Sequence, residues 1–339
     1  MSKIKNKNKI TLIILILLFI IAISTSIMFG TVHISFKKLI AILFALDTNE
    51  VPKAYKTIIL DLRLPRTFLA GLIGAGLSVI GVVYQSIFKN PMADPYVLGI
   101  SSGAALGATV GIAIITKFSH NFALISILSF FGALFTLVLV YKIAVIKNIL
   151  PVITLLLAGI SMNFLFSSMI SFIMIVKKEH MSEILFWIMG NINSASWKDV
   201  LFILPIIFFG ILIIYYFSND LNIMQTGEET AKTLGVEVEK VKKILLIITS
   251  IMVAGIVSIS GIIGFVGLIV PHMVRLIIGP NNKILIPFSA FLGAIVMIFS
   301  DVLARVIISP SEIPLGIITS LIGSPYFIYL LYKNKKKMI

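Results

Sequence analysis

Thr226-Gly-Glu-Glu-Thr-Ala-Lys-Thr-Leu-Gly-Val236 lies inside a charged segment, Asn219 to Lys243, with an apolar run on either side long enough to cross a bilayer. It is the largest soluble feature of a chain that otherwise reads as membrane-embedded. Thr226 followed three residues later by Glu229 has the spacing of a capping box, in which the hydroxyl accepts from the Glu229 N–H and the carboxylate reaches back to the Thr226 N–H. Gly235 supplies a left-handed stop before Val236. The helix expected between them, Gly227 to Leu234, has only about two turns and would be marginal alone in water. Ala231 and Leu234 give it a small apolar face at helical spacing. These residues fit an ordinary loop helix as well as a lever seated in a groove on a partner.

The flanking composition sets the class. Of 339 residues, 59% are hydrophobic and 12% charged, and the mean hydropathy is +1.10. A soluble domain of this length could not stay dispersed with such a sequence, whereas a bundle of spanning helices of about 20 apolar residues each accounts for it. The expectation is an all-α polytopic membrane protein, one transmembrane domain over 1–339. The net charge of +14 gathers at the ends of apolar runs, where it sets membrane orientation rather than marking a nucleic-acid partner. Cysteine is absent, which excludes disulfides and thiolate metal sites. No Gly-x-x-x-x-Gly-Lys-Ser/Thr stretch occurs, so a P-loop ATPase or other enzyme is not expected here. His33, His120, His180 and His272 fall in separate segments without ligand spacing, and neither a metal nor a cofactor is expected.

Ten spans follow from the apolar runs. Lys3, Lys5, Lys7 and Lys9 precede Ile10 to Phe29, which is longer than a signal core and reads as a retained first helix. His33 to Asp61 is amphipathic and lies outside. The second span, Leu62 to Phe88, ends at Lys89-Asn-Pro-Met-Ala-Asp-Pro95, whose prolines cannot continue a helix. The next are Val97 to Thr116, Phe122 to Tyr141 (before the basic turn Lys142 to Asn148), Leu150 to Val176, and Val200 to Phe217, with a short surface helix at Ile184 to Met189. Ile244 to Ile278 is too long for one crossing and is split near Ser260-Gly261 into spans seven and eight; Ile284 to Val302 and Pro314 to Tyr332 complete the set. Ten spans place both termini on one side, and that side carries 17 of the 28 Lys and Arg, which puts the termini, the Asn90 turn and the 219–243 segment in the cytoplasm. Spans two to five and seven to ten each begin with a Gly-rich helix and enter from opposite faces, as inverted halves would.

On the outer side Arg63 and Arg66 open span two, and Arg305 lies near the end of span nine. They fit interfacial anchoring, and they also fit a basic rim whose planar forks receive a partner's carboxylates. No ionisable group sits deep in a span, which argues against a stand-alone secondary transporter, and no carboxylate ring or filter loop suggests a channel.

Several long stretches, taken together, resemble one family. Leu62-Arg-Leu-Pro-Arg-Thr67, Gly74-Ala-Gly-Leu-Ser with Gly81 and Gln85, Asn90-Pro-Met-Ala-Asp-Pro95, Leu98-Gly-Ile-Ser-Ser-Gly-Ala104, the Thr226–Val236 stretch, Gly264-Phe-Val-Gly-Leu-Ile-Val-Pro-His-Met-Val-Arg275, Glu312-Ile-Pro-Leu-Gly-Ile-Ile-Thr319 and Gly323-Ser-Pro-Tyr-Phe327 are similar to the permease subunits of the iron-siderophore, haem and vitamin B12 ABC importers (the FecCD and BtuC type). The resemblance implies the ten-helix type II ABC importer permease fold. It also implies a homodimer or a pair with a paralogous permease, two copies of a separate ABC ATPase inside, and a substrate-binding protein outside. It assigns Gly227, Glu228, Glu229, Thr230, Ala231, Leu234 and Gly235 to an ATPase-coupling helix, Arg63, Arg66 and Arg305 to docking of the binding protein, and Asn90, Pro91 and Met92 to a cytoplasmic gate. Lys232 stands where many relatives have Arg, and Met92 where Leu is usual. An iron chelate is the expected substrate, with haem or cobalamin as the alternative.

Overall fold

The computed structural model describes residues 2–32, 34–43, 52–115, 122–147 and 149–338, and the described residues form no strand, only a bridge between Ile146 and Ile149. The helices in chain order are α1 (Ser2–Met28), α2 (Phe36–Leu43), α3 (Lys53–Thr57), α4 (Leu64–Ile87), α5 (Ile100–Ile115), α6 (Phe122–Ala144), α7 (Val152–Val176), α8 (Met181–Ile188), α9 (Trp197–Tyr216), α10 (Ser218–Gln225), α11 (Glu228–Thr233), α12 (Val238–Ser260), α13 (Val266–Ile278), α14 (Asn282–Val306) and α15 (Leu315–Met338). A π-helical stretch, Ile58–Arg63, joins α3 to α4, and a 3-10 turn, Lys178–His180, precedes α8. Among the described residues, seven helices are long and apolar enough to cross a membrane: α1, the continuous stretch from Lys53 to Ile87, α6, α7, α9, α12 and α14. Three shorter apolar helices, α5, α13 and α15, stand beside them.

The expected spans fall on these ten helices, and the ends that differ do so for one reason. Hydropathy marks where a helix enters lipid, whereas hydrogen bonding decides where it stops. Span seven was expected from Ile244, yet α12 begins at Val238, because Glu239, Lys240, Lys242 and Lys243 extend the same helix into the polar region. The split at Ser260-Gly261 coincides with the end of α12, where Gly261 takes φ 65°. The segment that follows, 261–265, is not helical, and the Tyr96 hydroxyl holds it by donating to the Ile263 carbonyl at 3.0 Å and accepting from the Ile263 N–H at 3.2 Å. Three short helices were not anticipated: α2, α3 and α10. The first is fixed by a small apolar cluster in which Ile34, Leu39 and Ile42 pack with Ile27 and Ile59. His33, Thr116, His120 and Asn148 lie outside the described residues.

The core sits along α4, α12 and α14. The apolar stretch containing α4 is 78% buried, against 22% for those of α6 and α7, so α4 is central while α6 and α7 turn most of their surface outward. In lipid no hydrophobic effect drives helices together, so close backbone packing must do it. Gly74 of α4 faces the Gly293 carbonyl of α14, and Gly81 faces that of Gly267 in α13; a methyl group at either position would collide with backbone.

Candidate functional site

Two polar constructions stand at opposite ends of the bundle. The first surrounds α11. The capping box expected at Thr226 and Glu229 is not formed, since Thr226 closes the preceding helix: its N–H donates to the Ile223 carbonyl at 3.0 Å and its hydroxyl to the same oxygen at 2.8 Å. Gly227, at φ 142°, separates the two helices, so α11 starts one residue later than expected and has no side-chain cap. A capping box does occur at the start of α9, where Asp199 accepts from the Ser196 N–H and hydroxyl. The stop is as expected. Gly235 takes φ 87°, its N–H donates to Lys232 O and that of Val236 to Ala231 O, both at 3.0 Å, which is the paired bonding of a Schellman motif.

The apolar face expected on α11 divides. Ala231 is fully buried beneath the helix, whereas Leu234 is 63% exposed and points away from the chain. The anchor below is Lys242 of α12, only 2% exposed, whose ammonium meets Glu228 at 2.7 Å and Glu239 at 3.4 Å. Glu239 in turn accepts the Leu150 N–H at 2.8 Å, so one buried cation joins α11, α12 and the turn before α7. A six-residue helix has almost no stability of its own. Lys242 and the burial of Ala231 supply it, and Glu229, Lys232, Thr233 and Leu234 are left exposed.

The Asn90 turn lies at the same end. Asn90 Oδ1 accepts the Met92 N–H at 2.9 Å, and Lys89 before it takes φ 49°. Pro91 and Met92 border a small recess with Leu268, Ile269 and His272 of α13 and Phe327 and Leu330 of α15. Asp94, half-buried in the turn, accepts the Tyr96 N–H at 2.8 Å, and burial pushes its carboxyl up to about 6.

The second construction is at the opposite end. Arg63, Arg66 and Arg305 are all buried, so the exposed basic rim expected from the sequence is not how they stand. Asp301 is the centre: Arg66 Nη2 lies 2.8 Å from one carboxylate oxygen and Arg305 Nη2 3.0 Å from the other. Arg66 Nη1 also donates to Glu312 at 2.9 Å, and Arg305 Nη2 to the Ser26 hydroxyl at 2.8 Å. Arg63 donates to the carbonyls of Ile27 (2.6 Å), Met28 (3.1 Å) and Val32. Burying three guanidinium groups is tolerable because every one is paired or hydrogen-bonded. The cations stand out in the sequence and their anions, Asp301 and Glu312, do not. Asp301 and Arg305 are spaced i, i+4 on one helix, which is the signal that pairs them.

A multi-pass all-helical bundle with charge confined to its two ends is the build of a membrane permease. The chain belongs to the FecCD transport family, whose profile matches residues 15–333, and it is an ABC transporter permease of the cytoplasmic membrane. It is 41% identical to the cobalamin import system permease protein BtuC of Halobacterium salinarum over 83% of this chain and 75% of that one. With the iron(3+)-hydroxamate import system permease protein FhuG of Bacillus subtilis it shares 37% identity over 91% and 92% of the two chains. Further relatives are named for hemin and for molybdate import. Among solved structures, an inward-facing metal-chelate type ABC transporter superposes with a TM-score of 0.84 at 32% identity, covering 96% of this chain and 99% of the other.

Proposed function

We propose that this chain is the membrane-spanning subunit of an ATP-driven importer that carries a ferric siderophore across the cytoplasmic membrane. The observation that carries the proposal is the form of α11: too short to stand alone, pinned from below through Lys242 and Ala231, and open above at Leu234. A rigid projection with an apolar tip suits a groove on a separate ATPase, so that closure of an ATPase dimer displaces α11 and, through α12, the bundle. In this reading the seven long and three shorter apolar helices all cross, giving ten crossings in inverted halves. The excess of Lys and Arg on the α11 side supports a cytoplasmic location for both termini. A second permease copy, identical or paralogous, completes the pathway, and two ATPase copies meet α11 and its symmetry mate.

Asn90, Pro91 and Met92 act as the cytoplasmic gate, a role supported by the position of Pro91 and Met92 against α13 and α15 and by the Met92 N–H bond to Asn90 Oδ1. The substrate-binding protein docks on the arginine end. Because Arg63, Arg66 and Arg305 are engaged within the chain, they serve docking by holding the ends of α1, α4 and α14 and the Glu312 segment as one surface. The buried core is largely apolar with scattered Ser and Thr, which suits a large preformed complex over a bare ion, and relatives named for iron(3+) citrate and iron(3+) hydroxamate support a ferric one. The 41% identity to a cobalamin permease supports cobalamin as the second reading. Uptake in iron-starved cells lacking the chain tests both: 55Fe-loaded hydroxamate uptake should fall and return with the intact chain but not with Leu234→Glu. Normal iron entry with loss of 57Co-cobalamin uptake would replace the substrate, and normal uptake of both would overturn both substrate readings.

A further inference from the structure

The α10 helix, which leads into α11, carries a side-chain clasp at Asn222. Asn222 Oδ1 accepts the Asn282 N–H at 2.8 Å, while Asn222 Nδ2 donates to Asn281 Oδ1 at 3.0 Å. Both halves of one amide are therefore engaged on the first residues of α14, where Asn281 also caps the helix by accepting the Lys283 N–H at 3.0 Å. Three residues further on, Gln225 donates to Ser86 at 3.3 Å, and Ser86 donates to the buried Asn282 side chain at 3.3 Å. The helix carrying α11 is thus fastened to the α14 start and to the α4 end together. Those two helices run side by side to the opposite end, meeting through Gly74 and Gly293, and there Arg66 of α4 is locked to Asp301 of α14. A pair of helices in backbone contact, joined by an ion pair at one end and by the Ser86–Asn282 hydrogen bond at the other, moves as one strut, because packed interiors deform little.

We propose that Asn222 is the positioning residue through which displacement of α11 is passed to the α4–α14 strut and so to the arginine cluster. This rests on the reading of α11 as the element that the ATPase moves. Asn222 touches no substrate; it ties the lever to the strut, and Gln225 adds a weaker second tie. An amide is the group the position needs, since its neighbours offer one N–H and one carbonyl oxygen. Leucine would satisfy neither, and aspartate would set a carboxylate against the Asn281 oxygen.

The test is hydrogen–deuterium exchange on the complex purified through a tag on this chain with its own ATPase, compared with and without ATP plus vanadate, so that no substrate is required. In the wild type, trapping should alter exchange both at 218–236 and at 300–314. In Asn222→Leu the inner change should persist and the outer one be lost, with ATP hydrolysis retained. The absence of cysteine allows a reversible repair. Asn222→Cys with Asn281→Cys should behave like Asn222→Leu when reduced and like the wild type when a short bis-methanethiosulfonate tether joins the thiols. A purely structural role would not be restored and removed by a tether in one sample, and this variant decides the matter if Asn222→Leu fails to assemble. An outer change that survives in Asn222→Leu, or that ignores the tether, overturns the clasp and leaves the α11 reading standing. No response at 218–236 even in the wild type overturns the α11 reading itself.

Discussion

The two ends of the bundle use the same kinds of side chain to opposite effect. At the arginine end, charge is folded inward: three guanidinium groups and Asp301 are buried and satisfied by one another, by Ser26 and by backbone carbonyls. At the α11 end, one buried cation holds two carboxylates that keep contact with water, Glu228 being 39% exposed, and everything above it is offered outward. The first arrangement fixes the geometry of several helices, and removing Asp301 strands the buried Arg305 charge. The second supports a part that must be both held and displaced. The identity of a charged residue therefore says less about its job than whether water can replace its partner.

The largest effect expected from this contrast is at Asp301. Asp301→Asn keeps the volume but leaves Arg305 without a carboxylate and Arg66 with only Glu312. Loss of one partner from a buried ionic group costs about 3 to 5 kcal/mol. Purified in detergent, this variant should unfold at a markedly lower temperature than the wild type, and the double replacement Asp301→Leu with Arg305→Leu should recover part of the loss. An Asp301→Asn protein as stable as the wild type would mean that the cluster is not a fixed point.

Lys242→Met makes the matching test at the other end. The stem is kept and the ammonium removed, but Glu228 and Glu239 can rehydrate, so the cost falls to about 2 kcal/mol, that of charge-assisted hydrogen bonds. Uptake should suffer more than stability, and Lys242→Arg should restore part of it. Equal losses at Lys242 and Asp301 in a thermal melt would erase the distinction drawn between the two ends.

Asp94 gives a smaller effect with a definite pH dependence. Its folded-state value of about 6 lies above the unfolded one, so ionising it opposes folding, and the penalty is absent in acid, grows as pH rises past the unfolded value, and is complete above about 6. Asp94→Asn keeps the acceptor for the Tyr96 N–H and removes the charge. Melting temperatures of the two proteins should converge near pH 4, while the variant gains a modest advantage above pH 6, limited because solvent reaches the turn. A constant difference across that range would assign the effect to packing.

What could be read in the sequence followed from short-range rules. Apolar length gave the spans, and Gly261 and Gly235 marked two stops through their need for positive φ. What could not be read depended on partners far away in the chain. Whether Arg66 faces water or Glu312 depends on a contact across 246 residues, and the Asn222 clasp joins segments 60 residues apart. The failed capping box is the instructive case. Thr226 and Glu229 have the right spacing, but the residue between the two helices is Gly227, and its positive φ of 142° assigns Thr226 to α10 instead. Local signals compete, and a glycine lets the backbone choose between them.

Leu234 is where the contrast between the two ends becomes sharpest, since the expected change in stability is nil. The side chain is largely exposed and touches nothing that its loss would uncover, so Leu234→Ser should melt within about 0.5 kcal/mol of the wild type. If the residue fills a groove on the ATPase, the same substitution removes the apolar tip of the lever. Substrate uptake and recovery of the ATPase with the tagged chain should then fall together by about tenfold or more, the equivalent of roughly 1.4 kcal/mol or more of lost burial. Lys232→Ala, beside it on the exposed face, should do less, since a solvated charge contributes little across an interface rim. A Leu234→Ser chain that retains full uptake and full ATPase recovery would show that α11 is held by Lys242 for a purpose other than contact with the ATPase, because no force could then pass through its tip.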